Sequence, residues 1–178
     1  MRQTALSMGI EIERKFLIRE ALWQAPGQGC AIVQGYLHRA PDLTIRIRIA
    51  DGQGFLTVKG ASCSLRRSEF EYPVPAADAE AMLRELPVSD LVRKVRYRCP
   101  YGGHVWEVDV FDGDNAGLIV AEIELADEQE AFARPPWLDR EVTGDHRYSN
   151  SNLAVTPYRS WPENATRTGA SQVYQATR

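Results

Sequence analysis

Charged residues occupy alternate positions in seven short segments of this chain, and residues of like charge stand two apart in most of them. In an extended strand, residues two apart share a face. Glu11, Glu13 and Lys15 therefore point one way, and Ile10, Ile12 and Phe16 the other. The same reading puts Arg46 and Arg48 opposite Ile45, Ile47 and Ile49, and Lys59 with Phe55 and Thr57 against Leu56 and Val58. Arg67, Glu69 and Glu71 face away from Phe70, Tyr72 and Val74; Lys94, Arg96 and Arg98 alternate with Val95 and Tyr97. Glu107 and Asp109 oppose Trp106, Val108 and Val110, and Glu122 and Glu124 oppose Ile119, Ala121, Ile123 and Leu125.

For any one strand, this is the ordinary pattern of an antiparallel sheet with one face on a core and the other in water. A solvated face, however, mixes Thr, Ser, Gln and Lys, whereas here acid pairs (11/13, 69/71, 107/109, 122/124) and basic pairs (46/48, 94/96) are separated. Carboxylates on neighbouring strands repel unless a cation lies between them, which favours a hard metal held by oxygen ligands. Clustered Arg and Lys repel unless an anion neutralises them, and phosphate suits both the Arg fork and the Lys point charge. The two clusters together describe a pocket for a metal-bound polyphosphate.

Strand-like alternation bounded by turn residues occurs at 9–18, 32–38, 43–49, 55–59, 66–74, 91–98, 104–111 and 117–125, with Asp51-Gly52, Gly102-Gly103 and Asp112-Gly113 as hairpin signals. Ala79, Met82, Leu83 and Leu86 form one helical stripe within 76–86. Asp127 with Glu130 resembles a capping box for a short helix ended by Pro135-Pro136, and a weaker helical signal lies at 145–153. Trp137, Trp161, Tyr148 and Tyr158 are expected as core or interface anchors. Eight strands with few helices predict an α+β fold, with the sheet curled or closed into a barrel; in a closed barrel, charges on the concave side would line the lumen. The expected divisions are an N-terminal extension at 1–8, one barrel domain at 9–162 and a polar tail at 163–178.

The net charge of −3 argues against a nucleic-acid or membrane-surface binder, so any polyanion site must arise from local arrangement. Met1–Ser7 contain one Arg and no apolar stretch, and Cys30, Cys63 and Cys99 share no metal-like spacing. No secretory signal is expected, and free thiols in a reducing cytoplasm are the default. His38, His104 and His146 form no triad pattern.

Glu11-Ile12-Glu13-Arg14-Lys15 matches the E-x-E-x-K signature of the CYTH, or triphosphate tunnel metalloenzyme, superfamily. In the family's order follow Gln34-Gly35-Tyr36-Leu37, Arg46-x-Arg48, Thr57-x-Lys59-Gly60, Glu69-Phe70-Glu71, Lys94-Val95-Arg96-Tyr97, Trp106-Glu107-Val108-Asp109 and Glu122-Ile123-Glu124. The chain resembles that superfamily over roughly residues 8–160, and is most similar to its short bacterial inorganic triphosphatases.

The resemblance implies an eight-stranded antiparallel β-barrel, a tunnel with its charged side chains in the lumen and a few helices packed outside. In it Glu11, Glu13, Glu122 and Glu124 hold Mg²⁺ or Mn²⁺, with Glu69, Glu71 and Asp109 completing the acidic, metal-facing set. It implies that Lys15, Arg46, Arg48, Lys59, Lys94 and Arg96 cradle the triphosphate, with Tyr36 as a further contact. Lys15, Arg48, Glu71 and Asp109 are the catalytic candidates. Arg98 and Glu107 have the right parity, and Arg67 is expected near the tunnel mouth, outside the core site. The implied reaction is metal-dependent hydrolysis of a small-molecule triphosphate, tripolyphosphate first. The alternatives are a class IV adenylate cyclase, a thiamine or nucleoside triphosphatase, and a binding module without turnover.

Overall fold

The computed structural model describes residues 9–63 and 65–165. The expected extension at 1–8 and residues 166–178 of the expected tail lie outside the described residues. The strands are β1 (Ile10–Ile18), β2 (Cys30–Arg39), β3 (Thr44–Ala50), β4 (Gln53–Cys63), β5 (Arg66–Val74), β6 (Val92–Tyr101), β7 (His104–Asp112), β8 (Ile119–Glu124) and β9 (Leu138–Glu141). The helices are α1 (Ala76–Glu85) and two single turns, α2 (Asn150–Leu153) and α3 (Pro162–Ala165).

All nine strands form one sheet in the order β5-β4-β3-β2-β6-β7-β8-β1-β9, and an additional pairing of β5 with β1 closes eight of them into a barrel. Every pairing is antiparallel. Closure is short. Only Ile10–Ile12 pair with Arg66–Ser68, after which the same edge of β1 passes to β9, where Phe16 and Ile18 meet Glu141 and Leu138. β9 is absent from the sequence reading because Leu138-Asp139-Arg140-Glu141 is too short to show alternation.

The outward apolar residues of β1, β7 and β8 form a core of Ile12, Phe16, Trp106, Val108, Ala121 and Ile123. Phe132, Trp137 and Leu138 cover it. The cover is therefore the 126–138 segment and β9, not helices. No helix forms at 127–135: Asp127 accepts from the Gln129 amide and Glu130 from the Ala126 amide, which closes a turn that the two prolines prevent from continuing. At 145–153, Asp145 caps a 3-10 turn at His146–Tyr148 and Ser149 caps α2.

α1 packs on β3 and β4, and Gly54 on β4 lets it approach. A Cβ on Gly54 would lie 2.8 Å from Ala79 Cβ and 2.9 Å from the Val74 carbonyl oxygen. Neither neighbour can rotate away, so Gly54→Ala is expected to destabilise the protein by about 1–3 kcal/mol, as overpacking does. A chemical-denaturation midpoint equal to the parent's would contradict the contact.

Inside the barrel, one end is apolar. Tyr36, Val92, Phe111 and Val120 share the lumen face with the charged rows, and they pack against Tyr148, Leu153, Ala154 and Trp161 from the C-terminal segment. That segment enters the barrel and fills this end, so Tyr148 and Trp161 act as the anchors their aromatic character suggested. No helix among the described residues is long and apolar enough to cross a membrane.

Candidate active site

The sequence parity carries over to the lumen. All the candidate residues lie on the inward face of their strands, and the register brings acids against bases across strand pairs: Lys15 faces Glu122, Lys59 faces Glu69 and Arg96 faces Asp109. The lysines and arginines are paired there. Lys15 Nζ donates to Glu122 at 2.5 Å and lies 3.4 Å from Glu13. Lys59 Nζ donates to Glu11 at 2.6 Å and lies 3.0 Å from Glu69. Arg48 donates to Glu71 at 2.7 Å, and Arg46 donates to Glu71 and to Thr57 Oγ1. Lys94 donates to Asp109, and Arg96 reaches Asp109, Glu107 and Glu122.

Two tiers result. Glu71, Asp109 and Glu122 are engaged by the bases, and Lys59 engages Glu11 and Glu69 in the same way. Asp109 is fully buried and takes Lys94 and Arg96 together. Burial pushes the Lys94 ammonium down to about 8, against the pull of Asp109 and helped by the repulsion of Arg96. Against the upward push of burial, Lys15, Arg96 and Lys94 hold Glu122 well below the usual carboxylate range. Burial also disfavours the Lys15 charge, but Glu122 and Glu13 raise it above the ordinary lysine value.

The second tier is acidic and incompletely neutralised. Glu13 stands opposite Glu124 in the β1–β8 register. Burial, then repulsion from Glu107, Glu11, Glu69 and Glu13, pushes the Glu124 carboxyl up to about 7. Burial likewise raises Glu13, with Glu122 and Glu11 adding to it despite nearby Lys15. This donor set is all carboxylate oxygen, which fits a hard divalent cation. Among the described residues, no three His, Cys, Asp or Glu side chains are already gathered as a ligand cluster.

The basic wall has unsatisfied donors. Arg46 Nε and Arg48 Nε are buried N–H groups with no acceptor in the protein, beside Gln34 Oε1, which likewise has no partner. Leaving a buried donor unmade costs about 1–3 kcal/mol, more for a charged group, so two in one wall are what an anion would satisfy. Tyr36 is buried near them, accepts from Gln34 Nε2 at 3.3 Å and lines the same pocket as Lys15, Arg46 and Lys59.

Sequence reasoning left four contributors out of the site. Thr44 and Arg67 line the pocket, and Thr57 is buried with its hydroxyl donating to Glu71 at 2.7 Å. Their parity with Arg46, Lys59 and Glu69 was the available signal. The Ser149–Ser151 turn also lines the pocket, and Asn150 Oδ1 accepts from Lys94 Nζ at 3.3 Å. No strand pattern could place that turn, because it arrives with the C-terminal segment. Arg98 is exposed, and Glu107 pairs with Arg96.

The description "CYTH domain" matches residues 9–156. An inorganic triphosphatase from Acetivibrio thermocellus is 43% identical over 156 residues, covering 88% of this chain and 100% of that protein. A second, from Nitrosomonas europaea, is 35% identical over 151 residues, covering 82% of this chain and 97% of its own length. The crystal structure of an inorganic triphosphatase aligns with a TM-score of 0.58 at 33% identity, over 81% of this chain and 93% of that one. A putative adenylate cyclase from Bacillus halodurans shares the fold, with a TM-score of 0.56 at 16% identity over 68% of this chain and 84% of that one. The E-x-E-x-K strand, the alternating lumen rows and a match spanning residues 9–156 agree, and the chain belongs to the CYTH domain family.

Proposed function

We propose that this chain hydrolyses inorganic triphosphate to pyrophosphate and phosphate in the lumen of its barrel, with Mg²⁺ or Mn²⁺ as cofactor. The observation that carries this reading is the pair of buried guanidinium donors, Arg46 Nε and Arg48 Nε, without protein acceptors in a wall of bases. The triphosphatase relatives at 43% and 35% identity support the same substrate.

Glu13 and Glu124, with Glu11, Glu69 and Glu122 around them, would hold the divalent ion. When bound, such an ion neutralises these carboxylates and the phosphate oxygens they would otherwise repel. Lys15, Arg46, Arg48, Lys59, Lys94 and Arg96 bind the phosphates and absorb the charge that spreads over the transferred phosphoryl group in a loose transition state. Glu71 and Asp109 act through these bases: they fix the Arg48 and Arg96 forks and the Lys94 ammonium in place. The bases start from ion pairs, so they are aligned before substrate arrives, which is preorganisation in the useful sense. The substrate is a small molecule, and the free cysteines Cys30, Cys63 and Cys99 support a cytoplasmic setting.

The test is to incubate the purified chain with tripolyphosphate, ATP and thiamine triphosphate, each with Mg²⁺ and with Mn²⁺, and to identify the products by chromatography. Preferential release of phosphate and pyrophosphate from tripolyphosphate, lost on chelation with EDTA, is expected. cAMP and pyrophosphate from ATP would instead identify a cyclase, and silence on all three substrates would leave a binding module.

A further inference from the structure

Lys15, Arg46, Arg48, Lys59, Lys94 and Arg96 all have carboxylate partners. Arg67 is different. It lines the same pocket, yet its bonds go to neutral acceptors: Nε donates to the Gly60 carbonyl at 2.6 Å and Nη2 to Thr44 Oγ1 at 3.1 Å. Among the described residues, no carboxylate stands within ion-pairing distance of it. Two bonds fix the guanidinium plane and neither cancels its charge. An anion meeting Arg46, Arg48 or Lys59 must compete with Glu71, Glu69 or Glu11, whereas at Arg67 it displaces no acid.

The position of this charge is set by β3. Arg48, Arg46 and Thr44 share the lumen face, and each step of two residues along a strand advances about 7 Å. Arg67, bonded to Thr44, therefore extends the Arg48–Arg46 row by one further step. Asn150 and Ser151, from the C-terminal segment, line the same pocket.

We propose that Arg67 forms, with Asn150 and Ser151, a subsite for the terminal phosphoryl group of a three-phosphate chain, and so distinguishes triphosphate from pyrophosphate. The proposal rests on the triphosphatase reading above for its substrate. Its chemistry is that of a charge-assisted fork on a phosphate oxygen, made without the loss of an existing ion pair. Pyrophosphate held by Arg46 and Arg48 has no third phosphoryl group left to offer Arg67. The subsite therefore favours release of the two-phosphate product over the three-phosphate substrate.

The experiment uses the full chain and its Arg67→Ala, Arg67→Gln and Arg67→Lys variants. Calorimetric titration with tripolyphosphate and with pyrophosphate, without divalent ions, reads binding even if the parent proves unable to hydrolyse. Steady-state kinetics with Mg²⁺ then splits KM from kcat. Arg67→Ala and Arg67→Gln are expected to weaken tripolyphosphate binding and raise its KM about tenfold or more, in line with the loss of one charged hydrogen bond. Pyrophosphate affinity should stay within about twofold on the same reasoning, kcat for tripolyphosphate should not rise, and Arg67→Lys, which keeps the charge without the fork, should recover only part of the loss. Equal weakening of both ligands, or of neither, in a variant whose melting temperature matches the parent would overturn the subsite. Absence of tripolyphosphate binding to the parent would overturn it as well. A parent that binds tripolyphosphate selectively but does not turn it over would refute the hydrolase reading and leave the subsite standing.

Discussion

Asp109→Ala is expected to lower the unfolding free energy by about 3–5 kcal/mol, the range for removing one partner of a buried ion pair. Asp109 has no exposed surface and accepts from Lys94 Nζ, Arg96 Nε and Arg96 Nη2. Its removal leaves Lys94 Nζ inside the barrel with Asn150 Oδ1 at 3.3 Å and the Phe111 ring centroid at 5.4 Å. Arg96 is less exposed to the loss, because Glu107 and Glu122 still hold it. The damage should therefore be focused on Lys94. A Lys94→Met, Asp109→Leu double variant removes both charges and should regain much of the stability, since apolar replacements of buried pairs are often neutral or better. Urea or guanidinium titration of the three proteins supplies the numbers. A single variant within about 1 kcal/mol of the parent would mean that water or a rearranged side chain already satisfies Lys94. A double variant no better than the single would place the loss in packing rather than charge.

How much of this could be read from the sequence depends on the range of the interactions. Parity is local, so Glu11, Glu13 and Lys15 on β1 or Arg46 and Arg48 on β3 were assignable to one face from neighbours alone, and the lumen follows once the sheet closes. Pairing is not local. That Lys15 meets Glu122 across 107 residues, or that Arg96 takes both Asp109 and Glu122, depends on the β1–β8 and β6–β7–β8 register, and alternation leaves register open. Alternation could therefore put seven acids on one face, but not show that Glu11, Glu69, Glu71, Asp109 and Glu122 each meet a base within 3.0 Å while Glu13 lies 3.4 Å from Lys15. The 126–138 segment was misread for a different reason. A capping-box pattern specifies a first turn, but Pro135-Pro136 and the packing of Phe132 and Trp137 on the outer core favour an extended course. The apolar barrel end was hidden altogether. Tyr36, Phe111 and Val120 look like ordinary strand residues until Tyr148, Leu153 and Trp161 arrive from the far end of the chain to meet them.

Lys15 and Arg14 are adjacent on β1 and face opposite ways, so together they test the inside–outside assignment on which the site depends. Lys15→Ala is expected to reduce kcat for tripolyphosphate by about 10²- to 10³-fold, as loss of one preorganised electrostatic donor does. Lys15 is nearly enclosed, with burial opposed by Glu122 and Glu13 so that its ammonium remains charged throughout the working pH range. The fold should tolerate its loss, because Glu122 keeps Arg96 at 2.8 Å. Arg14 instead forms a two-bond fork to Glu141 on β9, at 2.8 and 2.6 Å, outside the barrel and over the Phe132 ring. Arg14→Ala should leave kcat within about twofold and lower stability by about 1–2 kcal/mol, through the lost fork and ring contact that help hold β9 and the 126–138 cover. Kinetics and thermal melts on both variants separate the two roles. Turnover that is unchanged in Lys15→Ala would remove Lys15 from the site. Equal loss of activity in Arg14→Ala would mean that the outer face of β1 also takes part in the reaction, and that alternate-position charge alone does not define the lumen.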